Sequence, residues 1–286
     1  MRRAEPFSLR PSREEWRHAW VARGELRDQR FELPPGVSSV IFERARLVNV
    51  DFSGTRFSDV IVEGSEFDGC DFSGAAFDTL TMGAGLRRTW RGDVWPRSVF
   101  RDCVFRRTRF APLTSFGNVR FERCVFDRAR LRQQTFTTEA EFVGCVFSGR
   151  LHDINFWGRP TKNQAALGRE RNAFTGNDFT AAELDDVAFK HIDLYAQRWP
   201  GPPGYALLDR VTARMRAVLP LVEAWPDPKH REEARFSLEF LAGSAVEHND
   251  DHAVVSLLDM GRRLPPALRE ELFAAFRGTS SNTSPG

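Results

Sequence analysis

Every fifth residue from Phe42 to Met82 is large and apolar: Phe42, Leu47, Phe52, Phe57, Val62, Phe67, Phe72, Phe77 and Met82. Two residues ahead of each stands Val40, Ala45, Val50, Thr55, Val60, Ser65, Cys70, Ala75 or Leu80, mostly small or β-branched. Asp, Glu, Ser, Arg and Gly fill the places between. A period of five fits neither the 3.6 of a helix nor the 2.0 of a flat strand. It is an internal repeat, and no single unit can bury its own apolar groups. With two groups turned inward and three polar ones outward, such units must wind into coils. The coils must then stack, ~4.8 Å apart, through backbone hydrogen bonds.

The register continues with interruptions. Phe100, Phe105 and Phe110 form a second run, and Phe116, Phe121, Phe126, Leu131 and Phe136 a third. Phe142, Phe147 and Phe156 follow, then Phe174, Phe179, Leu184, Phe189 and Leu194. These centres account for 19 of the 25 phenylalanines, against 2 tyrosines in the whole chain, so the interior is built for one side-chain shape. Cys103, Cys124 and Cys145 recur 21 residues apart in the units DCVFR, RCVFD and GCVFS, which predicts one inward column of buried thiols. The same spacing stacks Val104, Val125 and Val146 in an outward column, a candidate contact surface.

The units AAFDT, CVFRR, CVFDR, ARLRQ, NDFTA and AELDD resemble those of pentapeptide-repeat proteins, and the likeness covers roughly residues 38–196. The resemblance implies a mainly β fold, a right-handed quadrilateral β-helix in which four units make one square coil. It also implies a comparison with the members that protect DNA gyrase, a type II topoisomerase, from quinolones as rods resembling duplex DNA.

The flanks read differently. Residues 1–36 are expected to hold a tail and a capping helix over 12–23, with Ser12 and Glu15 as a capping box, Trp16 and Trp20 on one face and Gly24 as the stop. The β-helix is expected over 37–199, interrupted near 83–97 and 157–171. In the first interruption Trp90 and Trp95 fall in phase with Phe100, so it is either a degenerate coil or a loop. The second reads as a loop excursion, a place where recognition residues gather. Residues 205–278 are expected to form a helical domain over the open end of the β-helix, with helices from 205, 228, 251 and 266. Asp227 should cap the second of these helices. Residues 279–286 read as a disordered tail.

Little in the sequence suggests catalysis. It holds no P-loop, G-x-S-x-G or dinucleotide fingerprint. The group His248, Asp250, Asp251 and His252 reads as a polar turn between helices rather than a metal site, and no cofactor is implied. The opening residues lack the apolar core of a secretory signal, and no apolar run of ~18 residues occurs. A cytoplasmic, non-enzymatic protein is the expectation.

Charge placement says more. From Val37 to Met82 three basic residues face eight acidic ones, whereas from Gly83 to Arg132 thirteen arginines face four acidic residues. Arg101, Arg106, Arg107, Arg109, Arg120, Arg123, Arg128, Arg130 and Arg132 all take outward positions. The candidate partner-binding residues are therefore Arg101, Arg106, Arg107, Arg128 and Arg130, the valines Val104, Val125 and Val146, the acidic Asp51, Asp59, Glu63, Glu66, Asp68 and Asp71, and Trp90 and Trp95. The expected function is a protein-interaction scaffold. The alternative is a DNA-mimicking, gyrase-binding resistance protein, which the basic middle section opposes. Nucleic-acid binding is less favoured because no aromatic residues interleave the outward arginines. A homo-oligomer is compatible with the sequence.

Overall fold

The computed structural model describes residues 5–12, 19–83, 97–112, 114–134, 137–161 and 164–278. Its repeat section consists of four columns of parallel rungs. Ala22, Phe42, Val62, Met82 and Phe116 succeed one another up the first. Leu26, Leu47, Phe67, Phe100, Phe121, Phe142 and Phe174 climb the second. On the third, Arg30, Asp51, Asp71, Val104, Val125, Val146, Asp178 and Arg198 pair in turn. The fourth passes through Arg56, Ala76, Arg109 and Arg130, and two residues on, Arg132 pairs with His152, which pairs with Asp185.

Identical side chains stacked at the inter-strand spacing adopt identical rotamers, and the phenylalanines show it. Behind the third column, Phe52–Phe72, Phe72–Phe105, Phe105–Phe126, Phe126–Phe147 and Phe147–Phe179 lie 4.6, 4.9, 4.9, 5.0 and 4.6 Å apart. Their planes are within 7° of parallel. Each such pair adds roughly 0.5–1.5 kcal/mol beyond the area it buries. Cys103, Cys124 and Cys145 are fully buried beside this stack, in the inward column expected of them, and Cys70 is buried with them. Burial pushes the Cys103 and Cys145 thiols up, so both are protonated and unreactive at neutral pH.

The coils turn at residues with positive φ. Asp28, Asn49, Gly69, Asp102, Arg123, Gly144 and Gly176 follow the second column with φ of 51–66°. Gly54, Gly74, Arg107, Arg128 and Gly149 follow the third, the two arginines at 52° and 49°.

The interruptions leave the ladder intact. Glu66–Asp68 pair directly with Val99–Arg101, and Phe67 stacks on Phe100 at 4.4 Å, so no rung intervenes in this column; residues 84–96, on which the choice between a degenerate coil and a loop falls, lie outside the described residues. Trp90 and Trp95 lie outside the described residues. Both interruptions begin just after a first-column rung, at Met82-Gly83 and Trp157-Gly158, and end just before a second-column one. A Cβ on Gly83 would stand 2.3 Å from the Asn118 carbonyl carbon, and one on Gly158 2.0 Å from the His191 carbonyl oxygen. The second excursion carries a four-residue helix, α1 (Gln164–Leu167).

Three expectations for the flanks are corrected. Trp20–Arg27 is a strand, not the end of a helix, and pairs with Ser39–Val48, while Ser8–Pro11 pairs with it antiparallel. Ala22 and Leu26 take the places that Phe42 and Leu47 fill one coil later, and this pairing overrides the helical spacing. Residues 13–18 of that expected helix, with Glu15 and Trp16, lie outside the described residues.

Beyond the repeats, Tyr205–Leu208 is a strand paired antiparallel with Ala253–Ser256. The helix expected from 205 therefore begins only at α2 (Val211–Glu223), and that expected over 251–263 gives way to a strand and a short 3₁₀ turn. Asp250 and Asp251, both at positive φ, stop the preceding helix, and β-branched Val254 and Val255 suit the strand. α3 (Pro228–Asn249) starts as expected, the Asp227 carboxylate accepting from the Lys229 N–H at 2.8 Å. α4 (Pro266–Gly278) closes the set. These elements share an apolar cluster of their own, around Val211, Leu238, Leu272 and Phe276.

Candidate partner-binding surface

The outward residues of adjacent rungs lie about 4.8 Å apart, so charge is decided column by column. The six candidate acidic residues are divided among three faces: Asp59 and Glu63 on the first, Glu66 and Asp68 on the second, Asp51 and Asp71 on the third. They form no single acidic face. Arg101, one rung on, reaches Glu66 and Asp68 at 3.3 Å each and Glu122 at 3.1 Å. Asp51 pairs with Arg30 at 2.9 Å. Its bond from Ser53, then the Arg30 charge, holds its carboxyl below the usual range.

The valine column is in place. Val146 is 40% exposed, while Val104 and Val125 are half-buried. Acidic and basic rungs bracket it: Arg30, Asp51 and Asp71 on one side, Asp178 and Arg198 on the other.

The candidate arginines separate into two kinds. Arg101 is spent on the three carboxylates above. Arg106 pairs with Asp127 at 3.0 Å, whose carboxyl is held down first by the Ser148 hydroxyl and then by Arg106. Arg107, Arg128 and Arg130 form the other kind, with Arg109, which outward position alone did not single out. Arg109 and Arg130 are neighbours in the fourth column. Arg107 and Arg128 are neighbours at the adjoining corner: Arg107 donates its N–H to the Asp127 carbonyl at 2.8 Å, and Arg128 to that of Ser148 at 2.9 Å.

The result is a two-by-two block of exposed guanidinium groups on consecutive coils. Among the described residues, Arg107, Arg109 and Arg130 have no carboxylate within ion-pair distance, and Arg128 shares Asp127 at 3.4 Å. Gly74 and Ala76 lie one rung before the block and Gly149 one rung after Arg128, while the register that pairs Arg132 with His152 sets Arg150, itself engaged with Asp185, after Arg130. Like charges on neighbouring rungs repel, a cost that an anionic surface would reverse. The 21-residue interval from Arg109 to Arg130, the same that aligned the cysteines, is the signal for Arg109.

Sequence reasoning also missed Arg169. It returns from the second excursion to donate to Asn118 Oδ1 at 2.7 Å and to the Glu139 carbonyl, and its side chain is only 10% exposed. It converges with Arg97 and Arg120 on the buried Glu141, at 3.6, 2.6 and 3.6 Å. That excursion is pinned to the coils. Asp251, one of the polar-turn residues, accepts from the Thr212 N–H at 2.8 Å and its hydroxyl at 2.7 Å, capping α2 from another element.

This stack of five-residue units defines a class of solenoid. Residues 41–77 are pentapeptide repeats, matching the family of that description in eight copies. Among solved structures, trypsin-treated QnrB1, a plasmid-mediated fluoroquinolone resistance protein, is 18% identical over 63% of this chain and 77% of its own, with a TM-score of 0.23. HetL, a pentapeptide repeat protein involved in heterocyst differentiation regulation in the cyanobacterium Nostoc sp. strain PCC 7120, is 14% identical over 63% and 88%, also at 0.23. No curated protein matches the chain. Among the described residues no helix is long and apolar enough to cross a membrane.

Proposed function

We propose that the chain is a protein-interaction scaffold that acts by binding, and that Arg107, Arg109, Arg128 and Arg130 receive an acidic surface of the partner. The unpaired block carries this reading: four outward cations are held on a rigid ladder with one shared carboxylate between them. In this reading the coils wind right-handed. Residues 205–278 cover the last coil, supported by Tyr205 Oη on the Leu184 N–H at 3.0 Å and His248 O on the His191 N–H at 3.0 Å. The setting is cytoplasmic.

Poly-L-glutamate tests the proposal. The full chain should bind it in a salt-sensitive manner, and alanine at all four arginines should weaken binding at least tenfold. A duplex DNA probe that binds more tightly, with the same dependence on these arginines, would replace the protein partner by nucleic acid. A gyrase-directed, DNA-mimicking role rests on the repeats alone, since the acidic residues are split among faces and partly neutralised. Unchanged gyrase supercoiling and quinolone sensitivity at micromolar protein would remove it.

A further inference from the structure

α3 buries one side, through Ala234, Leu238, Ala242 and Ala245, and leaves an apolar seam on the other. Phe236, Phe240 and Val246 are 66%, 71% and 59% exposed, large values for such side chains. The two rings lie 6.3 Å apart at 20°. Between Phe240 and Val246 comes Gly243, where an added Cβ would meet nothing within 4 Å. Steps of four, three and three residues make a seam of the kind that receives a second helix, with a glycine where backbones can approach closely. Monomeric proteins rarely leave such a stripe uncovered. It borders a groove of about 1570 Å³ whose other wall includes Phe189, Lys190 and Leu194 of the repeat section.

Charge decides what fits. Glu232, Glu239 and Glu247 are exposed along the seam, and no Lys or Arg occurs from Phe236 to Asn249. The groove's Arg235 is engaged with Glu223, and Arg262 with Asp185 at 2.9 Å and Asp259 at 2.7 Å; Lys229 and Arg263 line the groove too, so the acidic character belongs to the seam itself. A second copy is a poor occupant. Packed parallel, α3 sets each glutamate beside itself; packed antiparallel with the two Gly243 backbones together, it sets Glu239 beside Glu247.

We propose that Phe236, Phe240, Gly243 and Val246 seat an amphipathic helix of a partner protein that carries Lys or Arg beside its apolar stripe. This surface is separate from the arginine block and prefers the opposite charge.

The experiment uses the full chain and a labelled synthetic helix of about 18 residues, five turns, built from Leu and Lys, with a Leu/Glu helix of the same pattern as control. Fluorescence anisotropy should show the Leu/Lys helix binding and the control not. Phe236→Ser with Phe240→Ser should weaken binding at least tenfold, as should Glu239→Lys with Glu247→Lys. Alanine at the four arginines should leave it unchanged, which separates this proposal from the first. Both phenylalanines are exposed, so the fold should survive, and circular dichroism checks it. Equal binding to the phenylalanine variant, or equal binding of the Leu/Glu helix, overturns the proposal. So does sedimentation showing a dimer that the phenylalanine changes abolish, for then the occupant is a second copy.

Discussion

Arg128 sits at φ 49° in a corner column whose neighbouring rungs hold Gly149 and, beyond Arg107, Gly74 and Gly54. A residue with a Cβ pays roughly 1–2 kcal/mol to occupy that left-handed region. Glycine does not, but it loses about 0.5–1 kcal/mol more backbone freedom on folding. Arg128→Gly and Arg128→Ala both remove the guanidinium and its exposed pairing with Asp127, so their difference isolates backbone strain. The glycine variant should be the more stable by about 0.5–1 kcal/mol, a shift of roughly 0.2–0.5 M in the midpoint of urea unfolding. Arg109, one rung before Arg130 in the fourth column, is not among the positive-φ residues. There the order should invert, with Arg109→Ala above Arg109→Gly by about 0.5–1 kcal/mol. Both Arg128 variants should lose the same affinity for poly-L-glutamate, whatever their stability. If Gly and Ala rank alike at the two positions, the corner is not strained and the reasoning fails. If they rank as expected, the chain keeps arginine where glycine would be more stable, as a binding surface would require.

Three other perturbations follow from the packing. Phe105→Ala opens a void between Phe72 and Phe126, each 4.9 Å away, and should cost about 3–5 kcal/mol in urea unfolding. Phe105→Leu should recover most of it. Glu141→Ala leaves Arg169 buried without its carboxylate and should destabilise by about 3–5 kcal/mol; limited proteolysis should then cut within 157–171, and an unchanged pattern would mean that Arg169 does not pin the excursion. His191 and His248 lie 4.9 Å apart with Trp157 beside them, and burial lowers both pKa values, with Arg159 and Lys190 acting in the same direction on His191 and Glu247 opposing it on both. A lowered histidine favours the neutral form in the fold, so its stabilisation is present above pH 6.5 and is lost as pH falls below it. The melting temperature should fall from pH 7.5 to 5.5, and His248→Phe should shrink that fall.

The coil was legible because the inward positions are set by one repeating requirement, two apolar groups in five. Any residue meeting it, Phe52 or Leu47, lands in the same place, so register could be counted without seeing the chain. The flanks lacked that redundancy. Trp20–Arg27 has helical spacing, but an open coil edge with unpaired backbone lies beside it, and Ala22 and Leu26 are small enough to complete the ladder. The paired strands Tyr205–Leu208 and Ala253–Ser256 are 45 or more residues apart in sequence, so neither is announced by its own neighbourhood. Acidic density over Val37–Met82 was a property of the chain, whereas the surface is built from residues about 20 or 21 apart. Folding the density onto faces divided it, and Arg101, from the basic section, neutralises part of it.

The same folding concentrates positive charge. Between Arg101 and Arg130 the arginines alternate between positions that meet a carboxylate one coil away and positions that do not. Arg101, Arg106 and Arg123 meet Glu122, Asp127 and Asp102 across 21 residues, pairs that tie adjacent coils together. Arg107 falls in a column whose other members are glycine or arginine, and Arg109 and Arg130 follow Arg56 and Ala76 in theirs. Exposed ion pairs add little to stability, so pairing alone would not require so many arginines. A chain needing only solubility could also have scattered its cations, whereas the 21-residue interval sets these four on two consecutive rungs. Their alignment is the part of the charge pattern that stability does not explain, and it is where a partner should first be sought.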